Sequence, residues 1–193
     1  MIRAKHIANL FLPVLVIVGL ALLTGCENDL KDIQKISAAE VNKPIEKYTD
    51  VDVIYSDSAK VKAHMTAPVM INYKVKNPYT EMPKGVKVIF YDNDLQPKST
   101  ITANQGVYRE KEKVIELHKN VVGTNAKGDT FSSEELIWDQ NSKQIHSSQA
   151  VHVKLADGSI TDGTSFVSDE NFNHWTMQQG TGIIHVNSQD IGQ

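Results

Sequence analysis

The chain has a single cysteine, Cys26. No disulfide can close within it, so any folded domain is held by burial and backbone pairing alone. Positive charge is short as well: 20 Lys and Arg face 23 Asp and Glu, a formal net charge of -3. A nucleic-acid partner would want a basic stripe, and none is present. No stretch of ten or more residues beyond the first 26 keeps a helical hydrophobic period, which argues against a helical domain. A nucleophile elbow of the form G-x-S-x-G is missing. Glu134 and Glu135 are adjacent, so on a strand they point to opposite faces and cannot work as a catalytic pair. Asp162 beside Gly163 reads as a turn. His64, His118, His146, His152, His174 and His185 lie in or beside strand-like runs, but no metal-ligand spacing links them and no second cysteine can help. We expect no catalytic centre, no metal and no cofactor.

What is present begins at the N-terminus. Arg3 and Lys5 precede an apolar run from Leu10 to Leu23, and no acidic residue comes before Cys26. A basic segment, an apolar segment and small residues at a cleavage point make a secretory signal. The sequence Leu22-Leu23-Thr24-Gly25-Cys26 resembles the lipobox of a bacterial lipoprotein. That resemblance implies cleavage before Cys26 and acylation of its thiol, giving attachment to a membrane. The alternative is an uncleaved anchor. The apolar run is roughly 14 residues, or about 21 Å of helix, against a hydrocarbon core of about 30 Å. Both readings place the rest of the chain outside the cytoplasm. Loss of residues 1–25 would also remove Arg3 and Lys5 and leave the surface slightly more acidic. We assign 1–25 to the signal, 26–49 to a polar tether, 50–188 to one folded domain and 189–193 to a tail.

From Val51 onward the chain breaks into short runs rich in Val, Ile, Thr, Tyr and Trp, separated by Gly, Asn and Asp. Such runs are Val51–Tyr55, Ala59–Met65, Val86–Tyr91, Val114–Leu117, Glu135–Trp138, Val151–Leu155 and Ile183–Val186. The fold class is all-β. A repeat of about 30 residues underlies the runs. Asn125–Phe131 followed by Glu135–Asp139 is echoed by Leu155–Thr161 followed by Thr164–Asp169, and Tyr108, Trp138 and Phe166 recur near the ends of second strands. Hairpin units of this kind close a core only by lying against their neighbours.

Strand alternation sorts the faces. One face collects Ile115, Leu117, Leu136, Trp138, Val151, Val153 and Leu155, and with them Phe131, Ile145, Ile160, Phe166 and Trp175. The other carries Glu116, His118, Glu135, Asp139, His152 and Lys154, with Ile137 the misfit. A sheet apolar inside and polar outside, bent into a trough, leaves an apolar channel along its length.

These residues also resemble a family. Ile101–Tyr108 with its Ala103, Gly106 and Tyr108, then Val114–Val121, Glu134–Asp139 and Gly158–Gly163, follow the order and spacing of LptC, the periplasmic component of lipopolysaccharide export. Tyr55–Lys62 is similar to that family's opening strand. The resemblance implies an open, twisted β-jellyroll of the OstA/LptA-like kind, built from stacked antiparallel hairpins. It implies that lipid A acyl chains run through an apolar groove lined by Tyr108, Ile115, Leu117, Phe131, Leu136, Trp138, Ile145, Val153, Ile160, Phe166 and Trp175. It implies partners: an inner-membrane ABC transporter, an LptA-like periplasmic bridge protein joined by edge-strand pairing, and a membrane, the inner one expected, reached through acylated Cys26. The best-known members keep an uncleaved anchor helix where this chain has a lipobox. Two other readings stand beside this one: an envelope scaffold whose interior is only a core, and a periplasmic enzyme acting on envelope glycans.

Overall fold

A computed structural model describes residues 46–185. The signal, most of the tether, the tail and Cys26 lie outside the described residues. Twelve strands form one antiparallel sheet: β1 (Glu46–Asp57), β2 (Lys60–Tyr73), β3 (Tyr79–Met82), β4 (Val86–Tyr91), β5 (Pro97–Ala103), β6 (Gln105–Arg109), β7 (Val114–Asn125), β8 (Thr130–Asp139), β9 (Gln144–Ser147), β10 (Val151–Lys154), β11 (Ile160–Asp169) and β12 (Trp175–Ile183). The described residues contain no helix. The first strand takes in residues 46–49, which the sequence reading assigned to the tether. The run Ile183–Val186 is not a strand of its own, because β12 ends at Ile183 and Val186 lies outside the described residues.

The topology is a meander folded along its midline. β2 pairs through 63–66 with β4 and through 71–73 with β3. β7 pairs through 114–118 with β6 and through 122–125 with β5. β8 uses one half for β10 and the other for β9, and β11 does the same. Each long strand thus crosses from one leaf to the other, while β3–β4, β5–β6 and β9–β10 are strands interrupted at the crease. One leaf holds β3, β6 and β9; the other holds β4, β5 and β10.

The crease has a chemical basis. Pro68, which has no N–H to give a ladder, sits where β2 changes leaf. Lys119 and Asn120 take φ of 64° and 50° at the bend of β7, and Ser165 (52°) and Gln179 (51°) do so in β11 and β12. Left-handed residues inside strands are bulge geometry, which sharpens bending.

The hairpin turns all lie along the mouth, opposite the crease, and four of them are built alike. The side-chain Oδ1 of Asp92, Asn125, Asp139 or Asp169 accepts two backbone N–H groups from the turn that follows it, for Asp92 those of Asp94 and Gln96 at 2.9 Å each. These Asx turns are the physical content of the sequence repeat. The β1–β2 turn differs: Ser58 and Ala59 both have positive φ (53° and 60°), the signature of a type I′ hairpin.

Between the leaves runs one continuous core. Met82, Val88, Phe90, Ile101, Leu117, Val121, Phe131, Leu136, Trp138, Ile145 and Phe166 are all sealed from solvent. Trp138 spans it: its ring meets Phe90 of the opposite leaf edge-on at 4.7 Å and Tyr55 at 5.5 Å. The outer edges of β1 and β12 carry no partner strand among the described residues.

Candidate functional site: an apolar cleft at the open end of the fold

At the β1 end the two leaves stand apart and leave a cleft of about 520 Å³. β1 supplies Val53 and Tyr55, which pair with inward Met65 and Ala63, whereas Ile54 pairs with His64 on the outward face. β2 supplies Ala63 and Met65 from one leaf and Met70 from the crease, and Tyr108, Ile115 and Trp138 come from the other leaf. Alternation produces this lining: Ala63 and Met65 are inward on β2, and the exposed polar face passes to His64. Lys113, Gln140 and Asp57 rim it, and buried Thr80 lies in its wall. The volume is that of a site for a ligand of drug size. Methionine adds adaptability, since its unbranched thioether repacks around varied apolar shapes. The cleft has an apolar wall and no assembled set of nucleophile and base, so it suits binding of hydrocarbon rather than chemistry.

The eleven residues expected to line a groove divide. Tyr108, Ile115 and Trp138 border the cleft, Ile115 and Trp138 as core residues at its inner wall. Leu117, Phe131, Leu136, Ile145, Val153 and Phe166 face inward but are sealed in the core. Trp175 is half-buried and packs on Phe131 and Phe166. Ile160 is a correction. It pairs with exposed Lys154 while Thr161 pairs with buried Val153, so Ile160 points outward. The phase slips afterwards: the β11–β12 register shifts between Asp162 and Thr164 and again before Val167, which restores Phe166 to the interior. The cleft residues of β1 and β2, Val53, Tyr55, Met65 and Met70, were not expected; the alternation Ala63-His64-Met65 was the signal for one of them.

The outward faces are ionic. Arg109 grips Glu116 through Nε at 2.7 Å and Nη2 at 3.0 Å, and this pairing holds the Glu116 carboxyl below the usual carboxylate range. His64 bonds Asp52 at 2.6 Å, His152 bonds Asp162 at 2.7 Å and His174 bonds Asp169 at 2.9 Å. Among the described residues no group of three or more His, Cys, Asp or Glu is placed to hold a metal ion.

A family model described as lipopolysaccharide-assembly, LptC-related, matches residues 13–188. The chain belongs to the LptC family. No curated protein matches it. LptC proteins serve lipopolysaccharide export as transport components of the periplasmic envelope rather than as enzymes. The folded meander is the jellyroll expected of an LptC chain.

One ionisable group of this LptC domain lies inside the mouth. Glu170, on the β11–β12 turn, accepts the Trp138 indole N–H at 2.8 Å. Burial pushes its carboxyl above the ordinary glutamate value, against the smaller opposing pulls of the Trp138 bond, Lys143 and Lys62. Between the unfolded and the raised folded value the native state binds more protons than the unfolded state, so stability falls as pH rises through that window. Glu116, held low, has the opposite sign and loses its contribution as pH falls below the ordinary carboxylate range. Glu170→Gln is therefore expected to flatten the decline of the urea midpoint on the upper side of that window and leave the acid limb in place. A decline equally steep in the variant would show that Glu170 does not control it.

Proposed function

We propose that this LptC domain takes the acyl chains of lipopolysaccharide into the cleft at its β1 end, from an inner-membrane ABC transporter, and passes them along the folded sheet toward β12. The cleft carries the proposal, because it is an apolar opening between the leaves at one end of the sheet. Each methylene moved out of water there gains about 0.8 kcal/mol, so a lipid with several chains would not leave unaided. Onward movement is then driven by arrival of the next lipid from below. The unpartnered edges of β1 and β12 offer strand pairing to neighbours, with β12 suited to an LptA-like bridge protein: Ile183 and Ile184 at its end are 68% and 75% exposed.

The test is in-cell photocrosslinking from Tyr108 or Met70 replaced by p-benzoylphenylalanine. Lipopolysaccharide adducts that vanish when transporter ATP hydrolysis is blocked are expected. Folded protein without adducts at either position would favour the scaffold reading.

For the anchor we propose acylation at Cys26. The family match begins at residue 13, inside the apolar run, so the segment that carries Cys26 belongs to the matched part of the chain. Cys26→Ser is expected to abolish metabolic labelling with a fatty-acid analogue and to block signal cleavage. Retention of the label would overturn the lipobox assignment.

A further inference from the structure

A conduit needs an open path from the β1 cleft to the β12 end, and in this structure the path is filled. Among the buried apolar residues described, Phe172 alone is carried by a turn and not by a strand. It belongs to the β11–β12 turn, which rises from the leaf of β9 and crosses the mouth to the other leaf. Two hydrogen bonds fasten it there. The Ser99 hydroxyl, at the start of β5, donates to the Glu170 carbonyl at 2.5 Å. The Asn125 side-chain amide, at the end of β7, donates to the Phe172 carbonyl at 3.2 Å. From the turn's own leaf, the Trp138 indole donates to the Glu170 carboxylate. Lys143 and Asp57 add an ion pair across the same mouth at 2.7 Å.

Phe172 itself is 0% exposed. Its ring stacks on Phe131 at 4.7 Å and lies 6.4 Å from Phe166, which in turn meets Trp175. Room for it exists only because residue 123 is glycine: a Cβ there would stand 2.6 Å from the Phe172 Cζ. The Phe172 φ of 53° is the left-handed position of the Asx turn, which Leu95 and Gly128 also take three residues after Asp92 and Asn125. A side chain held from a surface turn, by bonds at the rim, can leave by moving that turn alone.

We propose that the β11–β12 turn is a removable plug, in which Phe172 occupies the place of an acyl chain between Gly123, Phe131 and Phe166 until lipid displaces it through the mouth. This rests on the conduit reading above. The exchange is of like for like, since an aromatic ring and a hydrocarbon chain both cover the same apolar wall. Water therefore never needs to fill the channel while it is unloaded.

The test uses the full chain in cells, with p-benzoylphenylalanine at Tyr108, before the plug, or at Trp175, behind it. Each is combined with Phe172→Ala, which removes the plug, Gly123→Ala, whose methyl pushes the ring out, and Ser99→Ala, which cuts one rim bond. Protein abundance and protease resistance verify folding, and Gly123→Ala and Ser99→Ala carry the test if Phe172→Ala fails to fold. Lipopolysaccharide adducts at Tyr108 are expected in every background. Adducts at Trp175 are expected to be scarce in the parent, several-fold higher in Phe172→Ala and Gly123→Ala, and raised less in Ser99→Ala. Adducts at Tyr108 with an unchanged yield at Trp175 in the folded variants would overturn the plug and leave the conduit standing. No adduct at Tyr108 in any background would refute the conduit reading, and the plug with it.

Discussion

Trp138→Ala is expected to cost about 3–5 kcal/mol of folding stability, the range for truncating a large aromatic in a core. The reasons lie in three contacts. Trp138 is 1% exposed and is the side chain that joins the two leaves near the cleft, through edge-on packing against Phe90 and Tyr55. Edge-on aromatic pairs contribute roughly 0.5–1.5 kcal/mol beyond the area they bury. Its indole also donates to Glu170, whose carboxyl is already unfavourably buried. Without the indole that carboxyl keeps the cost of burial and loses a donor. Unfolding in urea followed by circular dichroism should show a lower midpoint with an unchanged slope, because the surface exposed on unfolding stays nearly the same. Trp138→Phe separates the contributions. It restores much of the packing and none of the N–H, so the remaining deficit should approach that of a hydrogen bond to a charged group, about 1.5–3 kcal/mol. An alanine variant as stable as the parent would mean that the leaves are held elsewhere.

Some of this architecture was legible in the sequence and some was not. The strands announce themselves because β-branched and aromatic residues alternate with polar ones over four or more positions, as in Val86–Tyr91 and Glu135–Trp138. The repeat was visible because each Asx turn is local: Asp92, Asn125, Asp139 and Asp169 need only the next few backbone N–H groups. The crease was not visible, because Lys119, Ser165 and Gln179 adopt left-handed φ without being glycine. That hidden feature explains the one face assignment that failed. Ile160 and Phe166 are six residues apart, so strict alternation puts them on one side, but the bulge between them turns Ile160 outward. The cleft was half legible. Tyr108, Ile115 and Trp138 followed from alternation, whereas Val53, Tyr55 and Met70 join them only because β1 closes against β2 at the end of the sheet, a long-range placement no local pattern encodes. Phe172 left a weaker trace: a lone aromatic among Asp169, Glu170, Asn171, Asn173 and His174, where a solvated turn would carry none.

The sharpest functional separation should come from placing the same charge in the core and in the cleft. Leu117→Glu puts a carboxylate at a site 1% exposed, between Gly106 of β6 and Leu136 of β8. Neither neighbour offers a side-chain donor. An uncompensated buried charge costs about 3–5 kcal/mol, a large share of the roughly 5–15 kcal/mol that holds a domain together. The variant should fail to accumulate as folded protein, and its loss of lipopolysaccharide export would then say nothing about a groove. Met70→Glu is different. Met70 is half-buried at the crease and opens onto the cleft, where the new carboxylate can keep water. Folding should survive, with a urea midpoint close to that of the parent. Export should fall sharply, because an acyl chain entering the cleft would have to strip that carboxylate of solvent with no partner to replace it. Complementation of a depleted strain, read beside the urea midpoint, distinguishes the two. If Met70→Glu folds and also exports normally, acyl chains do not pass through the cleft, and the interior of this LptC domain is a core with a scaffolding role.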